Sequence, residues 1–88
     1  MASIVGIEDL KAVHQAAADA VEVAVRAFLA AEYAFKVADY ERLLDSNQAT
    51  ETAYDTALTA LDLADRTKAS AFESLQVAAR ALGQAYRS

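Results

Sequence analysis

The chain reads as all-α, and within that class as a two-helix antiparallel hairpin. Three observations predict it. About a quarter of the 88 residues are alanine, the strongest helix former, and there is no proline. The two glycines, Gly6 and Gly83, lie close to the ends, so nothing between them interrupts a helix. Two stripes of mostly alanine, spaced alternately by three and four residues, mirror each other about the chain midpoint. One stripe holds Ala20, Ala24, Ala27, Ala31, Ala34 and Ala38. The other holds Ala53, Ala57, Ala60, Ala64, Ala71, Leu75, Ala78 and Leu82. Antiparallel pairing would bring 38 to 53, 34 to 57, 31 to 60 and 27 to 64.

Residues 1–88 form one small domain. Helix 1 is predicted over about residues 7–45, with Glu8 and Asp9 in its first turn, where the helix dipole favours negative charge. A turn at about 45–49 follows from the only polar cluster without apolar periodicity, Asp45-Ser46-Asn47-Gln48. Asp45 and Gln48 have the spacing of a capping box. Helix 2 then covers about residues 49–86, with Arg80 and Arg87 at its C-terminal end. The turn holds neither Gly nor Pro, so one unbroken helix, pairing between chains, competes with the hairpin. Ser-Asn is poor helix material, which favours the hairpin.

The mirrored stripes predict a seam of alanines with the helix axes close together. The larger residues then fall on the flanks. Val21, Val25, Phe28 and Phe35 of helix 1, with Tyr54, Leu61, Phe72 and Leu75 of helix 2, form a broad apolar face that nothing in the same chain covers. Leu29, Tyr33, Val37 and Tyr40 form a second apolar stripe on the back of helix 1. These twelve residues are the expected partner-binding positions. Uncovered apolar faces of that extent mark interaction surfaces, and a four-helix bundle completed by self-association would bury this one.

Charge narrows the partners. The net charge is −5, and seven acids between Asp39 and Asp65 face a single base there, Arg42. Such a surface repels phosphate, so nucleic acid is not an expected partner. The most apolar stretch, residues 20–38, contains Glu22, Arg26, Glu32 and Lys36, which argues against a membrane span. The start, Met1-Ala2-Ser3-Ile4-Val5, lacks the basic and apolar regions of a cleavable signal. A cytoplasmic or assembly-associated protein is expected, with export lacking a cleaved signal left open.

Catalytic chemistry finds little footing. No cysteine is present, and there is no glycine-rich phosphate loop or serine elbow. The one histidine, His14, has Leu10, Lys11, Ala17 and Ala18 at the positions where a helix would supply a second metal ligand. The Asp45–Asn47 segment has the opening of a calcium loop but Thr50 in place of its glycine and Thr56 in place of its closing glutamate. No enzyme activity, cofactor or metal is expected.

In length and hairpin layout the chain resembles the Trp-x-Gly family of small secreted helical hairpins. The resemblance is architectural. Where that family carries its signature tripeptide this chain has Asp45-Ser46-Asn47, and it contains no tryptophan. Phe35 and Asp39 have the spacing of the family's aromatic–acid export signal, but in mid-helix.

The functional expectation is a non-catalytic structural or scaffolding protein. It would act by helix–helix self-association, as a dimer or higher oligomer, or by packing on another helical protein. The alternative is a small export partner or targeting module within a heteromeric helical bundle.

Overall fold

A computed structural model describes residues 6–87. The signal-sequence reading of residues 1–5 therefore lies outside the described residues. Two helices, α1 (Ile7–Leu44) and α2 (Gln48–Arg87), run antiparallel as one hairpin. The molecule is a rod of 68 × 15 × 13 Å. Its radius of gyration of 19.5 Å far exceeds the roughly 12 Å of a compact chain of this length.

The break between the helices comes from side chains that satisfy the backbone better than helix would. Asn47 is the N-cap of α2. Its side-chain oxygen accepts from the Thr50 backbone N–H at 3.0 Å, and the Thr50 hydroxyl oxygen accepts from the Asn47 backbone N–H at 2.9 Å. This reciprocal pair is a capping box, displaced two residues from the Asp45–Gln48 pair expected above. The Thr50 hydroxyl then donates to the Asp45 carbonyl at 2.8 Å, and Ser46 donates to the Glu51 carboxylate at 3.1 Å. Asp45, with extended backbone, closes α1 by donating its N–H to the Glu41 carbonyl. The hairpin thus prevails over one continuous helix. Asn47→Ala should lower stability by about 1 kcal/mol, measured by urea unfolding, because it removes the cap and favours helix through the turn.

Burial locates the seam. In α1 the covered positions at the spacing of the seam are Ile7, Leu10, His14, Ala17, Val21, Ala24, Phe28, Ala31, Phe35, Ala38 and Arg42, with Ala18, Val25, Glu32 and Asp39 half-buried beside them. In α2 they are Thr50, Tyr54, Ala57, Leu61, Ala64, Lys68, Ala71, Leu75, Ala78, Leu82 and Ala85, with Ala81 and Gly83 half-buried beside Leu82. Both runs keep the alternating three–four spacing of a heptad repeat. Both also alternate a larger residue with a small one over most of their length. Ala24, Ala31, Ala38, Ala57, Ala64, Ala71, Leu75, Ala78 and Leu82 belong to the expected stripes. Ala20, Ala27, Ala34, Ala53 and Ala60, also members of those stripes, lie outside the seam and are exposed.

The seam is therefore offset by one position at every second site, and its filling is large against small instead of alanine against alanine. Reflecting the chain about residue 46 puts Phe35 level with Ala57, Phe28 with Ala64, Leu61 with Ala31 and Tyr54 with Ala38. In these four layers a large side chain stands level with an alanine, the arrangement that lets two helices interdigitate closely. The contacts across the seam agree with this register. The Phe35 and Tyr54 rings lie 5.2 Å apart, Arg42 sits 3.9 Å over the Tyr54 ring, and the Lys68 ammonium lies 3.6 Å over Phe28. Ala24, Ala38 and Ala78 are the most buried residues, at 5%, 7% and 6% exposure. They stand level with Lys68, Tyr54 and His14, larger side chains on the facing helix.

Candidate interaction surface

The hairpin has two unlike faces, one charged and one nearly charge-free. On the charged face, Lys11 pairs with Glu8 at 3.3 Å, Arg42 with Asp39 at 2.8 Å, and Lys68 with Asp65 at 3.8 Å. Glu51, Asp55 and Asp62 share this side by helical spacing. Two cations here have pKa values held above the ordinary range. For Lys11 the hydrogen bond with Glu8 is the main cause, followed by Tyr86 on the other helix. For Arg42 the hydrogen bond with Asp39 dominates. The exposed Lys11–Glu8 pair contributes little stability.

The opposite face is built differently. Val13, Ala16, Ala20, Val23, Ala27, Ala30, Ala34 and Val37 follow one another along α1 at spacings of three and four, and all are exposed. Ala53, Thr56, Ala60, Leu63, Thr67, Ser70, Ser74 and Val77 do the same along α2, also exposed. None of these residues is charged. A groove of about 740 Å³ lies between the two rows, lined by Ala16, Ala20, Val23 and Ala27 on one side and Thr67 and Ser70 on the other. Asp19 and Arg66 stand on its rims. Each row repeats the spacing of the seam, so each helix carries two adjacent heptad stripes. One is used within the chain, and the other faces outward.

The twelve residues expected to bind a partner are distributed differently from that expectation. Val21, Phe28, Phe35, Tyr54, Leu61 and Leu75 are half-buried in the seam between the helices, so the broad large-residue face is covered within the chain. Large side chains were needed there to oppose the alanines. Val25 is half-buried beside the seam, and Phe72 is 45% exposed on the charged side. Leu29, Tyr33, Val37 and Tyr40 are exposed, as the sequence suggested, at 54%, 71%, 39% and 64%. Val37 alone among them lies on the charge-free face. Missed altogether were Val13, Val23, Leu63 and Val77, the ridges of that face. Their signal was present as a second stripe at heptad spacing, hidden because alanine dominates it.

Among the described residues, no group of three His, Cys, Asp or Glu side chains is arranged to hold a metal ion. No described helix is long and apolar enough to cross a membrane. His14 lies half-buried in the seam. Comparison with protein-family models, curated proteins and solved structures finds no match to this chain.

Proposed function

We propose that this chain is a non-catalytic structural or scaffolding protein that works by helix–helix association, with its own copies or with another helical protein. The observation that carries this reading is the charge-free face, two parallel rows of exposed small and aliphatic residues with no covering element. The thinness of the core supports it. Among the described residues, only three alanines are buried, and no large side chain is fully so. The accessible surface is 6419 Å², against about 5000 Å² for a compact monomer of this mass. Small chains with so little interior gain stability by oligomerising. A second helical layer on the open face would give a four-helix bundle, with the charged face left to solvent. The acidic balance makes nucleic acid a poor partner, and the place of action is the cytoplasm or an assembly built from such bundles.

Sedimentation equilibrium at micromolar concentration tests the proposal. The expected mass is at least twice the 9.4 kDa of one chain. A cooperatively melting monomer under those conditions would overturn self-association. If that monomer gains a stable partner on co-expression with neighbouring genes, the heteromeric bundle takes its place.

A further inference from the structure

We infer that the open face receives a second copy of this chain, docked face to face with the two turns at opposite ends of the dimer. This rests on the self-association reading above and specifies its geometry. Two closed arrangements bring the same face of two hairpins together. With the two-fold axis along the rod, the turns lie at the same end, and α1 of one copy stacks on α2 of the other. With the axis across the rod, the turns lie apart, and each helix stacks antiparallel on its own equivalent.

The charges bordering the face distinguish these arrangements. Along the outer margin of the α1 row stand Asp19 and Arg26, and along that of the α2 row stand Arg66, Glu73 and, farther from the turn, Arg80, which meets an uncharged residue of the partner in either arrangement. These are the positions that flank a helix–helix seam and meet across it in an antiparallel pair. Arg26 and Arg66 are each twenty residues from residue 46, so they lie at one height along the rod. Asp19 and Glu73 are each twenty-seven residues from it, two helical turns farther from the bend. Turns together would set Arg26 against Arg66 of the partner and Asp19 against Glu73 of the partner. Every such contact pairs like charges.

Turns apart reverses this. An axis crossing the rod midway between the two heights sets Asp19 against Arg26 of the partner and Arg66 against Glu73 of the partner. All four contacts then pair opposite charges. The same axis passes through the middle of the groove, between residues 22 and 23 of α1 and between residues 69 and 70 of α2. It falls close to the midpoint of α1, so the two rods overlap along most of their length. In that register Ala20 faces Val23 of the partner and Thr67 faces Ser70 of the partner, small enough for close helix approach. Arg26 and Arg66 already bind Glu22 and Asp62 within their own helices, at 2.7 and 2.8 Å. A guanidinium has five donors, so each can also meet an acid across the interface.

The chain has no cysteine, so Ser46→Cys gives a unique labelling site at the turn. Sedimentation of donor- and acceptor-labelled protein establishes the dimer, and energy transfer reads the separation of the turns. Turns apart places them about 70 Å from each other at 1.5 Å per residue, and transfer is weak. A dimer with near-complete transfer overturns this docking while leaving self-association standing. A monomer at every concentration overturns both. Charge reversal gives the second arm. Arg26→Glu should weaken dimerisation about tenfold, and adding Asp19→Arg to it should restore most of that loss. Lys36→Glu, on the other side of α1, should leave the dimer constant unchanged. An unaltered constant in Arg26→Glu, with helicity preserved by circular dichroism, overturns the proposal.

Discussion

Ala38→Leu lowers the unfolding free energy of the hairpin by about 1–3 kcal/mol, whereas Ala69→Leu leaves it within about 0.5 kcal/mol. Ala38 is 7% exposed and lies level with Tyr54, whose ring is held between Phe35 and Arg42. Three added carbon atoms have no free volume on that side. To admit them, Tyr54 must leave its rotamer or the helices must separate over several turns, and separation breaks the neighbouring layers too. Ala69 points to solvent on α2 and meets nothing. Urea unfolding at fixed protein concentration compares the two, so that any association contributes equally. Equal midpoints for both variants would show that the seam does not run through residue 38.

The contrast with Ala60 shows what could be read from the sequence and what could not. The alanine stripes alone predict that Ala31→Leu and Ala60→Leu are equally damaging. In the structure Ala31 is in the seam, and Ala60 is on the open face. Helix class and antiparallel direction were legible because they depend on composition, on the turn cluster and on mirror symmetry. The element ends differ by only a residue or so. The rotational setting of each helix was not legible. Residues 20, 27 and 34 and residues 21, 28 and 35 carry the same period, one step apart, so periodicity cannot choose between them.

Burial energy makes that choice. Enclosing Phe28 and Phe35 removes far more apolar surface from water than enclosing Ala27 and Ala34. The helices therefore rotate until one larger residue per heptad enters the seam and one alanine accepts it. Reading alanines as the whole seam assigned the large side chains to a partner and left the real open face unseen. Two cations also belong to the seam. Lys68 and Arg42 stand seven residues from Leu61 and Phe35, in line with the seam, where their stems lie half-buried and their charges rest on the Phe28 and Tyr54 rings.

Tyr54→Ala should have the largest single effect near the turn, about 2–4 kcal/mol, while Tyr54→Phe should stay within about 0.5 kcal/mol of the parent. Tyr54 links three groups. Its ring packs against Phe35 with centroids 5.2 Å apart, it lies beneath the Arg42 guanidinium at 3.9 Å, and it stands level with Ala38. Truncation removes the ring from all three at once and opens a cavity that Ala38, having no further side chain, cannot fill. Arg42 would keep its 2.8 Å bond to Asp39 but lose the surface on which its guanidinium rests. Its Nε, which is buried without a partner, would then be free to turn toward water. Phenylalanine preserves the ring, so the cation and the aromatic contact survive, and only the hydroxyl is lost. Thermal and urea unfolding of the two variants separate ring from hydroxyl. A Tyr54→Phe loss as large as that of Tyr54→Ala would mean that the hydroxyl, and not the stacked ring, holds the turn end of the hairpin together.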